Sequence, residues 1–193
     1  MIEKEFKILL SKNQYERINS YYQFSSPVEQ INYYFDTPDF QLDKQGITLR
    51  IRKIQFKPLL LQLKKKEKGI YDYSKKLEVE KIVDFIPQKM KLEYLSELLI
   101  EDLPSEIKSV DLIGELKTIR REYSSEDITL CLDKNVYHNK EDYELELEFD
   151  GSEQETRNII SNLNLQIPKK VIGKYKRFIN EYKKKENIIE EKN

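Results

Sequence analysis

Hydrophobic and polar residues alternate along the first stretch of the chain, which reads Ile-Glu-Lys-Glu-Phe-Lys-Ile over residues 2–8. Side chains of an extended strand point to opposite faces in turn, so this pattern predicts a β-strand. Glu3, Glu5 and Lys7 then share one face, and Phe6 lies on the other. The first strand is therefore predicted to have one charged face and one largely apolar face.

The same alternation recurs in three later stretches and concentrates charge on one face of each. The residues that share a face in this way are Glu144, Glu146 and Glu148, then Arg50 and Arg52, then Lys76, Glu78 and Glu80. Two interpretations are open at this point. The strands could form an exposed sheet crossed by salt bridges, or their charged faces could line a shared, hydrated cavity. Periodicity alone does not separate the two.

Eight segments in all have the pattern or composition of strands. They are residues 2–10, 30–35, 47–56, 59–66, 74–82, 116–123, 128–133 and 143–149. Helical periodicity predicts helices at 11–24, at 84–99 with a short addition at 104–110, at 152–163, and again after Pro168. Ser11 with Gln14, and Ser152 with Glu155, have the spacing of a capping box at a helix N-terminus. In the Asp-Thr-Pro-Asp motif, Asp36 and Asp39 are interpreted as turn formers rather than ligands.

The number of strands predicts the fold, because roughly eight strands close into a barrel with room for one small ligand. We predict an α+β protein: an eight-stranded antiparallel β-barrel, or tunnel, with a charged interior and flanking α-helices. Residues 1–182 are expected to form this single domain, and residues 183–193 a charged C-terminal tail. The sequence has no internal repeat and no linker that would divide it further.

The overall charge excludes several classes of partner. With 34 Lys and Arg against 35 Asp and Glu, the formal net charge is −1, which gives no general attraction to nucleic acid or to anionic membranes. No apolar run approaches the roughly 20 residues of a membrane span, and the N-terminus lacks a signal-peptide pattern. Cys131 is the one cysteine, as expected in a reducing compartment. We therefore expect a cytoplasmic protein that binds a small molecule and is a monomer or a homodimer.

The charged faces suggest a specific chemistry if they point inward. The acidic residues are Glu3, Glu5, Glu78, Glu80, Asp133, Glu144, Glu146 and Glu148, and the basic residues are Lys7, Arg50, Arg52, Lys64, Lys76, Arg120 and Lys174. Crowded carboxylates without His or Cys favour Mg²⁺ or Mn²⁺. Crowded lysines and arginines favour an anion, and arginine pairs bidentately with phosphate. A site with both halves suits a metal-bound polyphosphate. The single histidine, His138, argues against a histidine-dependent catalytic triad or a histidine-rich zinc site.

Several motifs in order along the chain resemble the CYTH, or triphosphate tunnel metalloenzyme, superfamily. They are Glu3-Lys-Glu-Phe-Lys7, Tyr34-Phe-Asp-Thr-Pro-Asp39, Gly46-Ile-Thr-Leu-Arg-Ile-Arg52, Leu61-Gln-Leu-Lys64, Lys76-x-Glu-x-Glu80, Thr118-x-Arg120, Leu132-Asp133, Glu144-x-Glu146 and Gly173-Lys174. The chain departs from the commoner family pattern in having Lys76 where Arg is expected and Gly173 where Ser is frequent. The resemblance covers residues 1–178.

The resemblance implies an eight-stranded tunnel that binds triphosphate compounds together with Mg²⁺ or Mn²⁺. It implies that the acidic residues named above hold metal and that the basic residues named above hold phosphates. The residues implied in catalysis are Glu5, Lys7, Arg52 and Lys76. Three functions remain open: a metal-dependent triphosphatase, a class IV-type adenylate cyclase, and a non-catalytic module that binds polyphosphate or nucleotide. The substrate of the triphosphatase could be inorganic tripolyphosphate, thiamine triphosphate or a nucleotide.

Overall fold

The computed structural model describes residues 4–66, 76–91 and 106–190, with side chains described over residues 5–65, 81–91 and 106–185. The chain divides into two compact units. The first unit comprises Met1–Glu29 and Lys117–Asn193, and the second comprises Gln30–Leu116. Among the helices described, none combines the length and the apolar character that a membrane span requires.

The described residues form nine strands and four helices. The strands are β1 (Lys4–Leu10), β2 (Val28–Asp36), β3 (Ile47–Ile54), β4 (Leu59–Lys66), β5 (Lys76–Val83), β6 (Lys89–Lys91), β7 (Ser109–Ser124), β8 (Ile128–Tyr137) and β9 (Lys140–Phe149). The helices are α1 (Lys12–Tyr21), α2 (Gln41–Lys44), α3 (Glu153–Asn162) and α4 (Lys174–Glu190). The predicted α+β class with antiparallel strands is confirmed. Closure of the strands into a tunnel stays a prediction.

The eight predicted strands are all present, and β6 is an additional one. The helix predicted over 84–99 is wrong where the structure describes it, because Lys89–Lys91 pair with Ser109–Asp111 of β7. Met90 is buried between two exposed lysines, and over three residues this pattern fits a strand as well as a helix. Residues 92–99 lie outside the described residues. The helix predicted over 104–110 is also wrong at its end, since β7 begins at Ser109.

Two of the predicted helix starts are confirmed by their hydrogen bonds. The Ser11 side chain accepts from the Gln14 backbone, and the Gln14 side chain accepts from the Ser11 backbone, which completes a capping box. Ser152 accepts from the backbone of Glu155 at the start of α3. Helix α4 continues to Glu190, so it enters the segment predicted as a charged tail. The domain boundary itself stays a prediction.

The first unit packs one face of its sheet against helices. Its strands lie in the order β1–β9–β8–β7, and all neighbours are antiparallel. The apolar residues of alternate positions, such as Leu130 and Leu147, form a core with Ile18 of α1 and Ile160 of α3. Burial of such side chains stabilises a fold by about 1.5–3 kcal/mol each. Because the core takes this face, the charged residues of β1, β8 and β9 lie on the opposite face.

In the second unit, too, one face of the strands packs into an apolar core. Its strands lie in the order β2–β3–β4–β5. Leu49 of β3 and Leu63 of β4 are buried opposite each other and join a core that includes Leu42 of α2 and Met90 of β6. Arg50, on the next position of β3, therefore lies on the other face of the strand.

Asp36 has a structural role that explains its burial. Its Oδ1 atom accepts hydrogen bonds from the backbone N–H groups of Thr37 at 2.7 Å and Leu42 at 2.9 Å. Its Oδ2 atom accepts from the backbone N–H of Asp43 at 3.0 Å. These donors belong to the turn after β2 and to the first residues of α2, so the interpretation of Asp36 as a turn former is confirmed.

Asp36→Ala is expected to lower the free energy of unfolding by about 2–4 kcal/mol, because it leaves several buried N–H groups without their acceptor. Asp39→Ala is the matched control, since Asp39 lies in the same turn but is exposed, and its loss should be about 1 kcal/mol or less. Urea denaturation at pH 7, followed by circular dichroism, measures both. Equal losses in the two variants would contradict the role given to Asp36.

Candidate functional site

The strand register of the first unit brings the predicted charged residues into rows. Glu5 of β1 lies opposite Glu148 of β9, and Lys7 lies opposite Glu146. Glu144 of β9 lies opposite Asp133 of β8, which lies opposite Arg120 of β7. Each row forms because every strand has its charges at alternate positions and the register keeps those positions side by side. We call these residues, together with Asp142, Lys174 and Arg177 described below, the charged face of the first unit.

The carboxylates at the centre of this face are buried. Asp133 and Glu144 are 0% exposed, and Glu146 is 5% exposed. An exposed sheet would leave these carboxylates in water, so the exposure predicted by the first interpretation is wrong for them. The cross-strand ion pairs of that interpretation are present, as between Arg120 and Asp133, and a shared cavity stays a prediction. Removing a carboxylate from water costs several kcal/mol unless cations and hydrogen bonds compensate it. The chemistry of the face therefore depends on its cations.

Lys174, the first residue of α4, is the centre of this compensation. Its Nζ atom lies 2.6 Å from Asp133 Oδ2, 2.6 Å from Glu146 Oε1 and 2.8 Å from Glu144 Oε1. Burial by itself lowers the pKa of the Lys174 ammonium, but the three carboxylates outweigh burial and raise the pKa above its ordinary value. Lys174 therefore stays charged and ties α4 to β8 and β9.

Arg120 holds two of the same carboxylates from the β7 side. Its guanidinium donates to both oxygens of Asp133, with Nε–Oδ1 at 2.8 Å and Nη2–Oδ2 at 2.7 Å, and Nη2 also lies 2.6 Å from Glu146 Oε2. This bidentate geometry is the strongest that an arginine makes with a carboxylate. Burial would raise the pKa of Glu146, but Lys174, Lys7 and Arg120 together hold it well below its usual value. Glu146 is thus ionised.

Lys7 links the acidic residues at the β1 edge. Its Nζ atom lies 2.8 Å from Glu5 Oε2 and 3.2 Å from Glu146 Oε1. Burial lowers the pKa of Lys7, but Glu146 and Glu5 outweigh that effect, and its pKa is raised. Lys7 was predicted to bind phosphate, and among the described residues its nearest charged partners are carboxylates.

Arg177 and Asp142 belong to the face but were not found from the sequence. Arg177 donates from Nε to Asp142 Oδ2 at 2.9 Å and from Nη1 to Glu144 Oε2 at 2.7 Å. Arg177 is three residues after Lys174, so the two lie on the same side of α4. Asp142 has the same parity as Glu144 in β9. The helical spacing from Lys174 is the signal that could have identified Arg177.

Two groups of three carboxylates on this face could hold a metal ion. The first metal trio is Glu5, Glu146 and Glu148, and the second metal trio is Asp133, Glu144 and Glu146. In each trio one oxygen per residue lies within 4.8 Å of the others. The donors are hard oxygens without His or Cys, which suits Mg²⁺ or Mn²⁺. The described charged face has six carboxylates and four cations, a formal charge of −2, which one divalent ion would balance.

The two trios differ in what they already contact. Lys174 Nζ lies within 2.8 Å of an oxygen of every member of the second metal trio. In the first metal trio, Lys7 contacts Glu5 and Glu146. One ammonium ion therefore contacts all three members of the second trio, whereas Lys7 contacts two members of the first trio.

The second unit contains the other predicted phosphate-binding residues whose side chains are described, which are Arg50, Arg52 and Lys64. Arg50 and Arg52 are alternate residues of β3, and Thr48, two residues before Arg50, lies opposite Lys64 of β4. Arg50 Nε donates to Gln62 Oε1 at 2.7 Å, and Arg52 Nε donates to Asn32 Oδ1 at 3.1 Å. The Nη2 atom of Arg50 is buried and has no hydrogen-bond partner among the described residues.

Four predicted site residues are described only in part or not at all. Glu3 lies outside the described residues. For Lys76, Glu78 and Glu80 the structure gives the backbone, with Glu78 opposite Lys64 and Glu80 opposite Gln62 in the β4–β5 pair. Their roles stay predictions.

Cys131 lies on the charged face of the strand, opposite Glu146, and is buried. Burial raises the pKa of its thiol to about 12. A thiol in this state is a poor nucleophile.

Lys174→Met is expected to lower the free energy of unfolding by about 3–5 kcal/mol, because it leaves three buried carboxylates without their shared cation. Lys184→Met removes a lysine from the same helix whose side chain is 67% exposed, and its effect should be within about 1 kcal/mol. Chemical denaturation at pH 7 in EDTA measures both without compensation by added metal. Similar small losses in the two variants would show that Lys174 does not hold the carboxylates together.

Comparison with known proteins identifies relatives over most of the chain. A family model for the CYTH domain matches residues 1–179. The Bacillus subtilis (strain 168) protein named "Putative triphosphatase YjbK" is 33% identical over 151 residues, which cover 76% of this chain and 77% of that protein.

Solved structures agree with the family match. A structure described as a putative adenylate cyclase (bh2851) from Bacillus halodurans is 30% identical, with a TM-score of 0.72, and the match covers 92% of this chain and 97% of that chain. HpAC1 from Hippeastrum, described as a putative adenylyl cyclase with a dominant triphosphatase activity, is 21% identical with a TM-score of 0.66 over 92% of this chain and 95% of that chain. That second likeness shows the fold. The chain therefore belongs to the CYTH domain family.

Proposed function

We propose that this protein is a metal-dependent triphosphatase that releases the terminal phosphate of inorganic tripolyphosphate, thiamine triphosphate or a nucleotide. The observation that carries the proposal is the buried charged face of the first unit, where carboxylates outnumber cations and can hold a hard divalent ion. The relative named as a putative triphosphatase supports the same reaction class. A pure anion-binding module would gain little from lining its site with carboxylates, which argues against a non-catalytic role.

The carboxylates of the first metal trio are the proposed ligands of Mg²⁺ or Mn²⁺. A bound ion would supply Lewis-acid polarisation of the terminal phosphoryl group. Lys7, which lies 2.8 Å from Glu5, would stabilise the negative charge that develops on the phosphoryl oxygens. Arg50, Arg52 and Lys64 would bind phosphate oxygens, as the family resemblance implies for them. No Ser, Cys or His nucleophile is required in this reaction.

A class IV-type adenylate cyclase is the second candidate, because the Bacillus halodurans structure at 30% identity is described as a putative adenylate cyclase. The two activities differ in product: the triphosphatase releases phosphate, whereas the cyclase forms cyclic AMP and pyrophosphate from ATP. Both products can be measured in the same reaction with ATP.

The wild-type protein is expected to release phosphate from at least one of tripolyphosphate, ATP and thiamine triphosphate with Mg²⁺ or Mn²⁺, and not in EDTA. Glu5→Gln should lower kcat about a hundredfold or more, because it removes a charged metal ligand. Lys7→Ala should raise KM as well as lower kcat, since Lys7 is proposed to contact substrate. Glu153→Gln, on the exposed face of α3, is the control and should keep full activity.

Full activity of Glu5→Gln and Lys7→Ala would overturn the triphosphatase proposal. Cyclic AMP formed from ATP, without stoichiometric phosphate release, would replace it with the cyclase. Metal-dependent binding of the triphosphates without any product would favour the binding module.

Mn²⁺ titration distinguishes the two metal trios. We expect Glu148→Gln to weaken Mn²⁺ binding about tenfold or more, because it removes one charged ligand of the first trio. Glu144→Gln should change Mn²⁺ affinity much less, because Lys174 already compensates the second trio. Isothermal titration calorimetry measures both affinities. The reverse order of the two effects would assign the metal to the second trio.

A further inference from the structure

The ammonium group of Lys174 lies among the carboxylates of the second metal trio. Its Nζ atom is 2.6 Å from Asp133 Oδ2, 2.6 Å from Glu146 Oε1 and 2.8 Å from Glu144 Oε1. These are the same three residues whose oxygens lie close enough together to hold a metal ion. One cation of the chain therefore contacts every ligand that a divalent ion in this trio would need.

The two glutamates of the trio each divide their oxygens between an arginine and Lys174. Arg120 Nη2 lies 2.6 Å from Glu146 Oε2. Arg177 Nη1 lies 2.7 Å from Glu144 Oε2. The Oε1 atoms of both glutamates contact Lys174 instead. The arginines thus hold the outer oxygens of the trio, and Lys174 holds the oxygens that face one another.

Glu144 Oε1 shows that the contact with Lys174 is one of charge. This oxygen is buried and accepts no hydrogen bond from the described residues, although Lys174 Nζ is only 2.8 Å away. An ammonium group satisfies an oxygen best when one of its N–H bonds points at it, whereas a metal ion has no such directional requirement. The position therefore suits a spherical cation, and Lys174 supplies the charge of one.

The family resemblance implies that Lys174 binds phosphate, but its surroundings favour a different role. Two of the three donors of its ammonium group are used in hydrogen bonds to Asp133 and Glu146. A phosphate group that approached Lys174 would also approach three carboxylates, and these like charges would oppose it. The Lys174 side chain is 17% exposed, and those of Asp133 and Glu144 are 0% and 1% exposed. The carboxylates are therefore its principal partners.

We propose that Lys174 takes the place of a second divalent ion, so that this protein binds its metal at the first metal trio and not at the second. The inference goes beyond the proposed function, which concerns the first trio. Because the ammonium group belongs to the chain, it neutralises the second trio at every metal concentration. The buried carboxylates of β8 and β9 then keep a cation among them when metal is scarce.

The test compares Lys174→Ala with Lys174→Met by isothermal titration calorimetry with Mn²⁺ at pH 7. Both substitutions remove the charge, but alanine leaves the space of the lysine side chain open, whereas methionine fills most of it. We expect Lys174→Ala to bind one Mn²⁺ ion more per chain than the wild type, because the three carboxylates then lack their cation. Lys174→Met should bind the same number of ions as the wild type.

Thermal unfolding in Mn²⁺ and in EDTA gives a second measurement that does not depend on enzymatic activity. An ion that binds only the folded state raises its Tm. With Mn²⁺ at about a hundred times its Kd, the Tm of Lys174→Ala should rise by about 5 °C or more beyond the rise in the wild type. The Tm of Lys174→Met should rise only as much as that of the wild type.

Two further variants locate the additional ion. Lys184→Ala makes the same substitution in the same helix, at a side chain that is 67% exposed, and should bind as many Mn²⁺ ions as the wild type. The double variant Lys174→Ala with Glu144→Gln removes one carboxylate of the second trio and should lose the additional ion. It should keep the ion of the first trio, to which Glu144 does not belong.

Several outcomes would overturn the inference. They are equal numbers of Mn²⁺ ions in Lys174→Ala and the wild type, an additional ion that survives Glu144→Gln, an additional ion in Lys174→Met, and failure of Lys174→Ala to fold in Mn²⁺ as well as in EDTA. Phosphate release by the wild type tests the proposed function separately. A wild type without triphosphatase activity, together with an additional ion in Lys174→Ala, would remove the proposed function and support this inference.

Discussion

The contact of Lys174 with three buried carboxylates is the interaction on which the charged face depends. Asp133, Glu144 and Glu146 lie on neighbouring strands with their charges side by side, and such an arrangement is unfavourable without a cation among them. Lys174 supplies that cation from the first turn of α4, with all three distances at or below 2.8 Å. The docking of α4 and the burial of these carboxylates therefore stabilise each other.

Acidic and basic side chains are distributed unevenly over the structure, although the formal net charge of the protein is only −1. On the described charged face of the first unit, carboxylates outnumber cations, and this net charge would favour an added cation. In the second unit, Arg50 donates from Nε to Gln62 Oε1 and Arg52 donates from Nε to Asn32 Oδ1. Neither local arrangement follows from the overall composition.

The sequence predicted most of the first unit because strand parity is a local property. Once 2–8 and 142–149 are recognised as strands, alternation alone places Glu5, Lys7, Glu144 and Glu146 on the charged faces. The partners that these residues contact could not be predicted in the same way, because strand register and helix docking depend on residues far apart in the chain. Arg177 is hydrogen-bonded to Asp142, which lies 35 positions away in the sequence, and Arg52 is hydrogen-bonded to Asn32, which lies 20 positions away. The local pattern also gave a wrong prediction at β6, because three residues are too few to distinguish the two-residue period of a strand from the 3.6-residue period of a helix.

Glu146 shows how the same residue serves both fold and proposed chemistry. It belongs to both metal trios, and Lys7, Arg120 and Lys174 each contact it. These cations hold its pKa well below the usual range, so the carboxylate remains an anionic oxygen donor even in mildly acidic solution. The same cations compete with any metal for its oxygens. In the second trio the other two ligands, Asp133 and Glu144, also contact Lys174, so a metal ion there would have to displace that ammonium ion from all three carboxylates. This competition is the reason for proposing the first trio as the metal site.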